Sequence, residues 1–159
     1  MRICFVVADV RAQQATFSGI YLALAAHRRG HDVRFVSVED LSFLDDNNIL
    51  ATTARVRAGD YADPAAYAHA LASEEAVVEE DTLGGFDVVF LRYNPTREGG
   101  GPGAPLIDFG WRLRLAGTLV INDPEGMRHD QLEGQPLTAI YANSENTEKI
   151  LQKYRQAFY

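Results

Sequence analysis

Polar residues stand at the carboxyl ends of three apolar runs in this chain. The run ICFVVA at 3–8 ends at Asp9, FDVVFL at 86–91 leads into Arg92 and Asn94, and TLVI at 118–121 ends at Asn122 and Asp123. In open α/β sheets, ligands bind beyond the carboxyl ends of the strands. If these runs are parallel strands, the three groups share one edge and form a binding site there. Taken singly, each is an ordinary loop residue that satisfies nearby backbone groups. No complete catalytic constellation joins them. The loop after the first run reads DVRAQQATFSG at 9–19, so no G-x-G-x-x-G turn follows the strand to hold a pyrophosphate. Neither a G-x-x-x-x-G-K-[ST] phosphate loop nor a G-x-S-x-G nucleophile elbow occurs. The loop GGPG at 100–103, preceded by Gly99, lacks a Lys, Ser or Thr to complete a phosphate cradle and reads as a mobile loop. His27, His31, His69 and His129 have no metal-ligand spacing, and His129, the one near the proposed edge, reads as a surface residue. The pairs Asp45/Asp46 and Glu79/Glu80 lie in turn or acidic contexts without a histidine, which gives no sign of paired acid/base work.

The elements that must position these residues follow from periodicity. The unbroken run at 3–8 suits a strand buried on both faces. Phe17, Ile20, Tyr21, Leu24 and Ala25 then recur at helical spacing over 16–29, and Gly30 stands where a helix C-cap glycine is expected. HDVRFVSV at 31–38 is strand-like, so the first 38 residues or so make a βαβ unit with a right-handed crossover. The runs at 41–44 and 49–56 flank the tetrad DDNN and predict an inserted β-hairpin. Asp63-Pro64 opens a short Ala-rich helix at 64–73, and the acidic stretch Glu74, Glu75, Glu79, Glu80, Asp81 reads as a solvated face. After the strand at 86–91, residues 105–116 suit a helix with Pro in its first turn and Leu106, Phe109, Leu113 and Ala116 on one stripe. Gly117 closes it before the strand at 118–121, and a short helix follows at 124–131. From Ser144 to the end, Ile150, Leu151, Tyr154 and Phe158 have helical spacing. Alternating strands and helices predict a three-layer, Rossmann-like α/β sandwich with a mainly parallel sheet. Residues 1–132 form the main domain, and 133–159 a helical extension packed on it.

Composition narrows the function classes. The chain has 159 residues, 15 Lys plus Arg and 22 Asp plus Glu, a net charge of −7. One domain of this size buries about 68–70 % of its unfolded surface, enough to need neither disulfide nor metal. The acidic balance and the lack of a basic cluster argue against nucleic acid as a partner. The single cysteine, Cys4, lies inside the first apolar run and reads as a small buried hydrophobe. No stretch approaches the 18 or so apolar residues of a membrane span, and no signal peptide precedes the first strand. A cytoplasmic protein is the resulting expectation.

Larger motifs add a resemblance. FDVVFLRYNP, followed by a loop, a helix and GTLVINDPEGMR, resembles the N-terminal domain of prokaryotic glutathione synthetase and of related ATP-grasp ligases. That family has a strand ending in Arg-x-Asp-Pro-Pro, a helix, then a strand ending in Asn-x-Pro. Here Arg92, Asn94 and Pro95 match the first motif, with Asn94 in place of Asp and Thr96 in place of the second Pro. Asn122, Pro124, Met127 and Arg128 match the second. The strand ending in Asp9, the helix at 18–31 and the hairpin at 41–57 are also similar, so the resemblance covers roughly residues 1–132.

The resemblance implies an enzyme that joins gamma-glutamylcysteine, or a comparable carboxylate, to an amine such as glycine. The reaction runs through an acyl phosphate made with ATP and magnesium, which the central and C-terminal ATP-grasp domains hold. The N-terminal domain supports the substrate side of the cleft and helps build an oligomer. On this expectation Arg92 orients a substrate carboxylate through its bidentate guanidinium, while Asp9, Asn94, Asn122 and Arg128 line the same edge. The family places a Lys about ten residues after Asn-x-Pro; Glu133 stands there in this chain, and no Lys occurs until Lys149. The length leaves no room for the ATP-grasp domains, so no ligase activity is expected of the chain alone. Two alternatives stay open. One is a non-enzymatic domain for self-association or partner docking through the segment 144–159. The other is the N-terminal half of a two-domain glycosyltransferase, whose opening helix FSGIYLALAAHRRGHDV at 17–33 also resembles.

Overall fold

A computed structural model describes residues 1–44, 48–93, 104–124 and 127 of the chain. Strand β1 (Arg2–Val7) is buried from Ile3 onward, as an unbroken apolar run requires. Helix α1 (Ser18–Arg28) follows, and Gly30 ends it at φ +77°, a left-handed turn that glycine adopts without a Cβ penalty. Strand β2 (Asp32–Ser37) returns parallel to β1, with Ile3 opposite Val33 and Phe5 opposite Phe35. The predicted hairpin is present as β3 (Leu41–Phe43) and β4 (Ile49–Arg55), Leu41 facing Ala51. It is no separate insertion, because β4 also pairs antiparallel with β2, Phe35 opposite Ala54. Asp63 caps helix α2 (Pro64–Ala72) by accepting from the Ala66 amide at 2.8 Å.

The acidic stretch holds one element that was not expected. Its second half is strand β5 (Val77–Thr82), which pairs antiparallel with β4, Thr53 opposite Glu79 and Ala51 opposite Asp81. The physical reason lies across the sheet in Arg34, which β2 holds at only 7 % exposure. A buried cation must be paired. Arg34 reaches Asp32 at 2.9 Å, Asp81 at 3.3 Å and Glu79 in a short contact, and Asp81 also takes Arg2 at 2.6 Å and the Thr53 hydroxyl at 2.7 Å. Strand alternation puts Glu79 and Asp81 on one face. Glu79 and Asp81 thus join an ion-pair network, while Glu74, Glu75, Glu79 and Glu80 are exposed, as a solvated face requires.

Strand β6 (Val88–Leu91), helix α3 (Ala104–Leu115) and strand β7 (Leu119–Ile121) complete the described elements, with Gly117 at φ +94° closing α3. The sheet runs β3-β4-β2-β1-β6-β7, with β5 on β4. Its central strands β2, β1, β6 and β7 are parallel, and the antiparallel strands flank them. One face carries Ile3, Phe5, Phe35 and Phe90 against Ile20 and Leu24 of α1 and Tyr67 and Leu71 of α2. The other carries Cys4, Val6, Val89 and Leu91 against Leu106, Phe109 and Leu113 of α3. Helices on both faces make the predicted three-layer, Rossmann-like sandwich. Cys4 is fully buried, which pushes its thiol pKa far above the ordinary value and leaves it an inert hydrophobe. Among the described residues no helix is long and apolar enough to cross a membrane. The loop at 99–103, most of the helix at 124–131 and the extension at 133–159 lie outside the described residues.

Candidate functional site

Because β1, β6 and β7 are parallel, their carboxyl ends open on one side of the sheet, and Asp9, Arg92 and Asn122 stand there. The expected shared edge exists. Asn94 and Arg128 lie outside the described residues, as does His129.

Arg92 has the most to offer a ligand. Its amide donates to the Val6 carbonyl at 2.7 Å, which extends the β1–β6 ladder one residue beyond β6. Its exposed guanidinium crosses the end of β1, and Nη2 donates to Ser18 Oγ at 2.5 Å. Ser18 is the first residue of α1, and no side chain caps that helix. A guanidinium has five N–H donors. Fixed at the amino end of a helix, whose dipole is positive there, those donors make a local site for an anionic group on an acidic chain. Ser18 was visible in the sequence only as the hydroxyl residue opening a helix after the first strand. No local signal tied it to an arginine 74 residues away.

Asn122 does different work. It alone among the described non-glycine residues has positive φ, at +66°. Asparagine tolerates this conformation better than most residues. Its Nδ2 donates to the Leu91 carbonyl at 2.5 Å, fastening the exit of β7 to the exit of β6. The next two residues are also held: Asp123 accepts from Arg114 of α3 at 2.6 Å, and Pro124 fits against Gly110 of α3. A Cβ at Gly110 would meet Pro124 Cγ at 2.5 Å and Leu91 Cδ1 at 2.9 Å, so only glycine lets α3 approach this closely. The segment after β7 is therefore fixed from three sides before it reaches Met127, which is buried.

Asp9 is exposed and folded into its own loop. Its carboxylate accepts from the Arg11 amide at 2.7 Å and its carbonyl from Gln13 Nε2 at 2.9 Å, while the Val10 amide reaches Ser37 Oγ at 3.2 Å. The turn holds the loop over the ends of β1 and β2. As arranged, the edge can bind and orient a carboxylate. Among the described residues no three His, Cys, Asp or Glu gather so as to hold a metal ion.

The family model for the N-terminal domain of prokaryotic glutathione synthetase matches residues 1–128. That span takes in every strand and helix described above, with Arg92 and Asn122 inside it. No individual curated protein matches the chain.

Proposed function

Because the chain belongs to the family of prokaryotic glutathione synthetase N-terminal domains, we propose that it is the substrate-side domain of a glutathione-synthetase-like, ATP-dependent carboxylate–amine ligase. The observation that carries this reading is the Arg92–Ser18 contact, which fixes a guanidinium beside the amino end of α1 where β1 and β6 end. Arg92 receives a carboxylate of a peptide or amino-acid substrate in bidentate fashion. Asn122 keeps the two strand exits together and Asp9 stands on the same edge; Asn94 and Arg128 are proposed as further substrate-binding residues. ATP and magnesium belong to the ATP-grasp domains of the whole ligase, with which this domain works in a cytoplasmic oligomer. The chain by itself binds substrate without turning over ATP. The family match favours this reading over the glycosyltransferase half.

Thermal unfolding tests it with gamma-glutamylcysteine, glutathione, glycine and ATP as separate additions. A ligand at 100 times its Kd adds about 2.7 kcal/mol to stability. Gamma-glutamylcysteine or glutathione raises the Tm of the wild-type chain, and Arg92→Ala abolishes the rise. No rise with any peptide carboxylate, or ATP turnover by the pure chain that depends on a peptide, contradicts the proposal.

A further inference from the structure

Both hydrogen-bonding groups of one peptide unit at the substrate edge are engaged. The unit that joins Leu91 to Arg92 gives its amide N–H to the Val6 carbonyl at 2.7 Å, and its carbonyl accepts from Asn122 Nδ2 at 2.5 Å. A peptide unit is planar, so bonds on its two sides fix its tilt. The root of the Arg92 side chain is therefore set before the guanidinium reaches Ser18.

One of these two bonds depends on a residue in an unfavourable conformation. The Val6 bond continues the ladder between two parallel strands. The Asn122 bond holds only while Asn122 keeps its φ of +66°. Such conformations persist where the surroundings over-determine them. Helix α3 supplies two contacts that do so. Pro124 is seated against Gly110, and Asp123 Oδ1 lies 2.6 Å from Arg114 Nη1.

Arg114 is well placed to hold that carboxylate. It stands in the last turn of α3, where the helix dipole favours a cation. Its neighbour Leu113 is buried in the core and Gly117 closes the helix just after, so the backbone that carries Arg114 is fixed. The guanidinium packs over the Trp111 ring, 5.2 Å from its centroid. Stacking orients the planar fork in advance and reduces the entropy lost when the pair forms. The Arg114 and Asp123 side chains are only 28 % and 32 % exposed. A pair shielded this far is screened less than one in open solvent.

We propose that Arg114 is a positioning residue for substrate binding. Through Asp123 it keeps Asn122 left-handed, and through Asn122 and the Leu91 carbonyl it presents Arg92 to the substrate carboxylate. The inference rests on the reading of Arg92 as the carboxylate receiver and adds the end of α3 to the parts that set affinity.

The test compares the wild-type chain with Arg114→Met and with the reversed pair Arg114→Asp/Asp123→Arg. Each is titrated calorimetrically with gamma-glutamylcysteine, and the N–H resonances of the ligand-free, isotope-labelled chain are recorded. Arg114→Met weakens binding several-fold, as expected of a change that acts through packed neighbours. It also moves the Asn122 side-chain and Arg92 Nε–H resonances before any ligand is added. The reversed pair recovers the affinity and returns both resonances toward their wild-type positions, the signature of a direct coupling between the two residues. Arg114→Gln, closer in shape, is held to the same outcomes if the methionine variant folds poorly. Equal affinity of wild type and Arg114→Met overturns the proposal, as does a loss that the reversed pair does not repair. So does a fall in Tm that leaves the Arg92 Nε–H resonance in place, which is what a merely structural ion pair gives. In those three cases the wild-type chain still binds the peptide through Arg92, and the substrate reading stands. Absence of wild-type binding, or binding that survives Arg92→Ala, overturns the substrate reading and this inference with it.

Discussion

Asn122 has a left-handed backbone and a side chain spent on the Leu91 carbonyl, and the two features make opposite demands on a substitution. Glycine removes the conformational strain and the hydrogen bond together. Alanine removes the hydrogen bond and keeps the strain, which for a left-handed residue is about 1–2 kcal/mol. Asn122→Ala is therefore expected to lose more stability than Asn122→Gly, measured by urea unfolding; equal losses would mean that the backbone angle carries no weight. Arg92 and Ser18 differ in the same instructive way. Deleting the guanidinium removes charge-assisted hydrogen bonds worth about 1.5–3 kcal/mol, whereas Ser18→Ala removes one positioning bond of about 1 kcal/mol. Calorimetric titration with a peptide carboxylate should show tenfold or greater weakening for Arg92→Ala and a several-fold loss for Ser18→Ala. A Ser18→Ala loss as large as that of Arg92→Ala would make the hydroxyl itself a ligand.

At the scale of elements, β5 shows why local composition can mislead. Glu79, Glu80 and Asp81 are poor strand formers, and read in isolation they belong to water. They form a strand because Arg34 is buried two strands away and needs carboxylates. Nothing near residue 80 records that need. Burial alone pulls Asp81 and Asp32 upward, but the Thr53 hydroxyl with Arg2 and Arg34 for Asp81, and Arg34 with Arg2 for Asp32, outweigh it. Both carboxyls titrate below their ordinary range, and Arg34 lowers Glu79 likewise. Groups with depressed folded pKa values stabilise the fold fully above their unfolded pKa, about 4, and lose that contribution as pH falls through the folded values. The Tm should hold between neutral pH and about pH 5 and fall below about pH 4. Asp81→Asn should flatten that acid limb, and an unchanged limb would remove the network from the account. Arg34→Met, which strands the carboxylates, should cost about 3 kcal/mol at neutral pH. Helix α3 gives a second element-scale test. Gly110→Ala gains about 1 kcal/mol of helix propensity but overpacks Pro124 and Leu91, a penalty of about 1–3 kcal/mol. The net result should be a less stable chain whose peptide binding is also weaker, because both displaced residues flank Asn122. A stabilised Gly110→Ala chain would show that Pro124 can yield.

For the molecule as a whole, strands β1, β6 and β7 of the parallel centre were legible because they are unbroken apolar runs, each followed by a polar residue. That pattern alone sets Asp9, Arg92 and Asn122 on one edge. On that edge two features were not legible: the Ser18–Arg92 contact, which joins residues 74 apart, and the conversion of Asn122 from a lining residue into a clamp by its backbone angle. Both are products of the tertiary arrangement. The central claim is that this edge receives a peptide carboxylate at Arg92. Its most direct test is a titration of the isotope-labelled chain with gamma-glutamylcysteine, followed by backbone and side-chain N–H resonances. The account predicts saturable shifts at the Arg92 Nε–H, the Ser18 and Gly19 amides and the Asn122 side chain. Shifts confined to the far end of the sheet, or none at concentrations that saturate a competent ligase, would contradict it.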